Sequence, residues 1–252
     1  MKYDVRQLRL LSNDEIADGI FDMRLEYGAD ELPVSCGQFA HILVPSKTLR
    51  RPISVCDASD GVLRLVYQVK GEGTRILSEM KPGGTVDVLA PLGNGFKLKK
   101  GVRYALVGGG IGTPPMLYTA KLCDSPLVIT GFRSKELVIL QEDLKAAGAE
   151  CVLCTDDGSA GKRGFVTDIL RERAGDYDEV LACGPTPMLK AVAALCGELS
   201  KPCQISLEER MACGIGACLV CAVKIRENGG EIMKHVCKDG PVFDAREVVF
   251  NG

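Results

Sequence analysis

Residues 104–123 read YALVGGGIGTPPMLYTAKLC, and this stretch decides the architecture. Tyr104 to Val107 is a short apolar run of the kind that forms a buried strand. Gly108, Gly109, Gly110 and Gly112 then supply bare backbone, and a helical segment follows from Pro115 to Cys123. A strand that turns through glycines directly into a helix is half of a βαβ unit. The alternation continues downstream, with strands expected over 127–130, 151–154, 179–183 and 204–207. Helices are expected between them over 137–147, 166–173 and 187–196. Such alternation implies a doubly wound parallel sheet.

Upstream of Lys99 the pattern is different. Short apolar or alternating runs at 5–11, 20–25, 39–44, 53–56, 62–69 and 86–89 are separated by turn signals such as Asp60-Gly61 and Pro82-Gly83-Gly84. Strands at that spacing suggest a small antiparallel barrel, with one short helix over 74–80. Downstream lies a Gly- and Cys-rich segment with a hairpin, 222–225 against 231–233. The chain is therefore expected to be multi-domain, α/β plus β. The expected divisions are a barrel at 1–98, a doubly wound domain at 99–207 and a small C-terminal domain at 208–252.

Composition narrows the function classes. The 252 residues are 46% hydrophobic and 25% charged, the balance of a soluble globular protein. With 31 basic and 33 acidic residues there is no positive field to recruit nucleic acid or an anionic membrane. The first residues, MKYDVRQLRL, lack the apolar core of a signal peptide, and no run reaches the roughly 18 to 20 residues of a transmembrane helix. A cytoplasmic protein is expected, in which its 12 cysteines stay reduced. Clustered thiols then point to metal or redox chemistry.

One cluster stands out. Cys213, Cys218, Cys221 and Cys237 are spaced C-x4-C-x2-C-x15-C, and the first three match the plant-type ferredoxin loop around a [2Fe-2S] cluster. Gly214 and Gly216 suit a backbone that wraps tightly and aims N–H groups at sulfur. A structural zinc site normally uses two C-x-x-C knuckles, and only Cys218 and Cys221 form one here. Cys151 and Cys154 sit three apart on an expected strand, so their sulfurs face opposite ways and cannot share a metal. Core packing is the reading for both.

Two strand-to-helix turns suit a dinucleotide. The turn at Gly108–Gly112 lets a pyrophosphate approach backbone and helix start, although Thr113 stands where a third fingerprint glycine would be. The second turn, Cys183-Gly184-Pro185, lies at a strand's carboxyl end, where open parallel sheets bind ligands. Cys183 is the candidate to border a nicotinamide; no other catalytic residue stands out. In the barrel, Arg51 offers bidentate donors to phosphate and Ser54 a hydroxyl to a ring.

Taken in order, RRPIS, YQVKGEGT, APLGNGF, GGGIGTPP, CGPTPML and the four-cysteine loop resemble the ferredoxin-reductase-like flavoproteins. Within them the chain is most similar to the electron-transfer subunits of class B dihydroorotate dehydrogenases. The resemblance implies that Arg51, Pro52, Ile53, Ser54, Tyr67, Gln68, Val69, Gly73 and Thr74 hold FAD. It implies that Gly108, Gly109, Gly110, Gly112, Cys183, Gly184 and Pro185 hold NAD(H). Ile53 stands where the broader family often has tyrosine, as in the narrower group. The implied role is in UMP biosynthesis: electrons pass from the FMN of a separate catalytic subunit, through [2Fe-2S] and FAD, to NAD+. The expected assembly is a heterotetramer of two of each subunit. A sister NAD(P)H:ferredoxin oxidoreductase or sulfide dehydrogenase subunit is the alternative on the same scaffold. A zinc-stabilised nucleotide sensor is the alternative of another class.

Overall fold

The computed structural model describes residues 3–28 and 33–250. The N-terminal part is a closed six-stranded antiparallel barrel, order β1-β2-β5-β4-β3-β6. Its strands are β1 (Asp4–Ala17), β2 (Ile20–Glu26), β3 (Phe39–Ile42), β4 (Arg51–Ser59), β5 (Val62–Gln68) and β6 (Thr85–Leu92). Alternation gives them one apolar face, and Leu10, Met23, Leu25, Ile42, Val55, Leu63 and Leu65 fill the interior with no exposure. Helix α1 (Glu72–Ser78) closes one end. It starts earlier than the expected residue 74 because the Thr74 hydroxyl accepts the N–H groups of Lys70 and Gly71, winding the chain into the helix before Thr74 itself.

The second part is a seven-stranded sheet, order β10-β9-β8-β7-β11-β12-β15. The chain runs β7 (Tyr104–Gly109), α2 (Pro114–Lys121), β8 (Leu127–Phe132), α3 (Gln141–Ala146), β9 (Glu150–Thr155) and β10 (Lys162–Arg163). It then crosses to the other side through α4 (Val166–Glu172), β11 (Glu179–Cys183), α5 (Thr186–Glu198) and β12 (Cys203–Ser206). These strands pair in parallel. Both faces are covered, so the strand sequences are continuously apolar. In β11, Val180 and Ala182 pack to one side while Leu181 and Cys183 pack to the other.

The remaining segment forms a hairpin, β13 (Ala222–Glu227) against β14 (Gly230–His235), and then β15 (Val242–Asp244). Strand β15 joins the large sheet antiparallel to β12, so the C-terminal segment supplies that sheet's last strand. At only three residues it is too short for a periodic signal, as is two-residue β10, and neither was expected.

The helix expected over 137–147 is broken. Lys135–Leu137 is a 3-10 turn, Val138 is extended and Leu140 adopts φ +61° before α3 begins. The break lets Ile139 and Leu140 both enter the core, while the Gln141 side chain donates to the Ile139 carbonyl and Thr130 hydroxyl.

Two seams join the parts. Arg64 in β5 holds Asp22 in the barrel and Asp143 in α3, both as ion pairs. The APLGNGF segment ties down the C-terminal module, where Asn94 Nδ2 donates to the carbonyls of Lys238 and Asp239, 3.0 Å each.

Candidate redox site

A cleft of about 240 Å³ opens where the barrel meets the end of β12. Strands β4 and β5 contribute Arg51, Pro52, Ile53, Ser54, Tyr67 and Gln68, and Thr74 completes the expected residues that line it. Arg51 is fixed by donating through Nη1 to the Leu49 carbonyl at 2.7 Å, which leaves the guanidinium lying over Gly73. A Cβ on Gly73 would come within 2.5 Å of Arg51 Nε, so that glycine shapes the arginine and does not itself line the cleft. Val69 also lies off the wall; its N–H donates to the Gly19 carbonyl. The opposite wall is Ser206, Leu207, Glu208, Glu209, Met211 and Pro241. A cationic anchor beside an apolar slot suits a ligand that joins an anionic group to a flat apolar ring.

Glu208 escaped the sequence reading. Its side chain is exposed, yet the cleft wall around the carboxyl desolvates it and raises it above the usual range, with Lys70 opposing. The Glu208-Glu209 pair just before the cysteine loop was its one sequence signal.

A second cleft, about 730 Å³, lies at the carboxyl ends of the parallel strands where strand order reverses between β7 and β11. Gly109, Gly110 and Ile111 form one lip, and Pro185, Pro187 and Met188 face them. Arg133 and Asp156 mark the polar end, and Phe165 stands 64% exposed at its edge. Gly108, Gly112, Cys183 and Gly184 sit behind this surface. A Cβ at Gly112 would lie 2.4 Å from the Cys183 carbonyl oxygen, so the two turns pack backbone to backbone. Cys183 is wholly buried, and burial pushes its thiol pKa well up. Gln68, Lys70 and Ile111 line both clefts, so the two spaces meet along one seam.

The four expected ligand thiols come together as two pairs. Cys213 and Cys218 have their sulfurs 3.4 Å apart, as do Cys221 and Cys237. That is too long for a disulfide at about 2.0 Å. It is near the roughly 3.8 Å edge of a tetrahedron with metal–sulfur bonds of about 2.3 Å. Two thiols per iron is the arrangement that a two-iron centre needs. Gly214 and Gly216 take positive φ, +73° and +78°, which turns N–H groups inward. Gly216 N–H then reaches Cys237 Sγ at 3.1 Å and Ala217 N–H reaches Cys213 Sγ at 3.3 Å. Burial alone would raise the Cys213 pKa, but hydrogen bonds from the Ile215, Cys218 and Ala217 backbone and the Cys218 thiol outweigh it and hold it at about 6. Cys237 goes the other way, pushed up to about 12 by burial and by the neighbouring Cys221.

The pairs differ in depth. Cys221 and Cys237 are 1% and 2% exposed and belong to the same buried cluster as Phe39, which also lines the smaller cleft. Cys213 and Cys218 are half-buried, with Ile215, Leu219 and Val220 exposed around them. Cys151 and Cys154 pack on opposite sides of β9, as their spacing implied. Cys154 also reaches the wall of the larger cleft.

Comparison with known proteins gives the family. Residues 208–249 match the iron-sulfur cluster binding domain of dihydroorotate dehydrogenase B. A dihydroorotate dehydrogenase B (NAD(+)) electron transfer subunit from Caldanaerobacter subterraneus subsp. tengcongensis is 45% identical, aligned over 96% of this chain and 97% of its own. The chain belongs to that family. A Geobacillus relative of the same name is 44% identical over 96% of this chain and 98% of its own length. Among solved structures, an NADH-dependent reduced ferredoxin-NADP oxidoreductase described for flavin-based electron bifurcation superposes with TM-score 0.86. That likeness is 31% identical and covers 97% of this chain and 90% of the other. The electron transfer subunits are thus more similar in sequence, while the sister scaffold shares the same barrel and sheet. No helix among the described residues is long and apolar enough to cross a membrane.

Proposed function

We propose that this chain carries electrons from an FMN-containing dihydroorotate dehydrogenase catalytic subunit to NAD+, as half of a heterotetramer with two copies of each subunit. The observation that carries the reading is the continuity of three sites. The thiol loop is flanked in the chain by Met211 and Pro241, which both line the smaller cleft, and that cleft reaches the larger one through Gln68, Lys70 and Ile111. FAD, when bound, supplies the exchange between single electrons and hydride that neither a cluster nor NAD+ manages alone.

The chain's own residues do the rest. Cys213, Cys218, Cys221 and Cys237 hold the cluster, with Gly216 and Ala217 N–H groups spreading thiolate charge. Arg51, Pro52, Ile53, Ser54, Tyr67, Gln68 and Thr74 hold the flavin, with Gly73 seating Arg51. Tyr67 is braced by its hydroxyl donating to Asn13 Oδ1 at 3.0 Å and by stacking on Phe21. Gly109, Gly110 and Pro185 offer a pyrophosphate close approach, with Gly108, Gly112, Cys183 and Gly184 fixing the two turns. Lys70 places a positive charge where the clefts meet. The exposed apolar rim of Ile215, Leu219 and Val220 suits the catalytic subunit, because covering it brings that subunit's carrier near the outer thiol pair. The cofactor assignment follows the divisions 1–98, 99–207 and 208–252, in the cytoplasm.

The test is to tag the chain in its host, purify it gently with its companions, and add dihydroorotate and NAD+. NADH formation by a complex holding equal amounts of a second, FMN-bearing subunit supports the reading. A coloured complex with another companion and no dihydroorotate-linked activity overturns the substrate assignment in favour of the sister scaffold.

A further inference from the structure

His41 is a buried imidazole between the two redox-active parts of the chain. It lies in β3, all four of whose residues are buried. Ala40 and Ile42 fill the barrel interior, while Phe39 and His41, two residues apart, share the outer face. Phe39 lines the smaller cleft and belongs to the same buried cluster as the inner thiols. The His41 ring meets Phe39 edge-on, centroids 6.5 Å apart at 74°, and its other side abuts the cysteine loop. A Cβ at Gly214, the residue after Cys213, would lie 2.4 Å from His41 Nδ1, so the loop's bare main chain and the imidazole are in direct contact.

His41 is 0% exposed, and neither ring nitrogen has a hydrogen-bond partner at normal geometry. Arg50 Nη1 donates to the His41 backbone carbonyl and does not satisfy the ring. Burial and the nearby Arg50 and Arg51 charges disfavour imidazolium, with only the Arg50 carbonyl favouring it. A neutral ring carries one N–H, and an unmet N–H in a closed interior is costly. The group expected immediately beyond Gly214 is rich in sulfur acceptors.

We propose that His41 is a positioning residue whose ring N–H donates to a sulfur of the cluster held by the Cys213–Cys237 loop, raising the cluster's affinity for an electron. This inference rests on the iron-sulfur reading of the loop. An N–H aimed at sulfur stabilises the extra negative charge of the reduced centre, so removing it favours the oxidised form. No proton is transferred and no bond is made or broken other than the hydrogen bond.

The experiment is an EPR-monitored redox titration of the intact complex carrying His41→Leu or His41→Gln, beside wild type. His41→Leu is expected to shift the cluster's one-electron equilibrium toward oxidised by about three- to tenfold, tenfold being about 59 mV. His41→Gln, which keeps an N–H donor, is expected to restore most of it. An unchanged potential in His41→Leu with full iron content overturns the inference and leaves the cluster reading intact. Wild-type protein without a [2Fe-2S] signal overturns both. Where the leucine variant fails to assemble, pulsed EPR of reduced complex decides, with 15N-histidine in this chain alone, joined to an unlabelled partner, and in a His235→Gln background so that His41 is the only labelled ring. Nitrogen coupling to the cluster supports the bond, and its absence with the cluster present overturns it.

Discussion

The cysteine loop brings its four thiols together between residues 213 and 237, while the smaller cleft draws its walls from residues as distant as Phe39 and Pro241. The loop sets its own N–H groups: positive φ at Gly214 and Gly216 turns them onto the sulfurs, and His41 is the barrel residue that meets it at Gly214. The cleft exists only once barrel, sheet and C-terminal segment have docked. A site made by local chain geometry tolerates changes elsewhere, whereas one made by docking depends on every seam. The loop therefore loses its function through its ligands, and the clefts lose theirs in graded steps.

The largest separation between the two is expected from Cys218→Ala. Partner-linked NAD+ reduction should fall to background while the protein keeps its yellow flavin and still passes electrons from NADH to a dye. Loss of the flavin as well would show that the loop and cleft are one site. Arg51→Ala should do the converse, leaving iron content unchanged. Losing hydrogen bonds from a charged donor weakens FAD binding by about 1.5–3 kcal/mol, roughly ten- to a hundredfold in Kd by titration of flavin-free protein.

Gly112→Ala probes the junction of the two turns. Its new Cβ meets main chain that cannot rotate away, an overpacking cost of about 1–3 kcal/mol. At about 2–4 °C per kcal/mol for a chain of this size, calorimetry should register a Tm lower by several degrees. An unchanged Tm would mean that the turns separate freely. Phe165→Ala should be the mildest. If the exposed ring at the edge of the larger cleft stacks on adenine, its loss raises KM for NADH about two- to tenfold, equivalent to about 0.5–1.5 kcal/mol, with kcat unchanged. An unchanged KM would place the adenine elsewhere.

The same contrast explains what could be read from the sequence. The thiol set was legible because its spacing is local, and the doubly wound sheet because Tyr104 to Val107 and Glu179 to Cys183 are long enough to show buried-strand character. The barrel showed in its alternation. Arg51 and the two glycine turns stood out because they lie within short motifs. Glu208, Met211 and Pro241 did not, since only the docking of the C-terminal segment brings them to the smaller cleft. His41 reads as an ordinary strand residue until Gly214 arrives against it. The helix expected over 137–147 failed because Ile139 and Leu140 gain more from core burial than from helical continuity, a tertiary effect that periodicity does not reveal.

The central claim is that the three sites form one electron path within this chain. The most direct test adds NADH alone, under anaerobic conditions, to the purified protein without its partner and follows flavin absorbance and the EPR of the iron centre together. The account predicts bleaching of the flavin and the appearance of a reduced [2Fe-2S] signal in the same preparation. Full flavin reduction with the cluster remaining oxidised, in protein containing its full complement of iron, would contradict it.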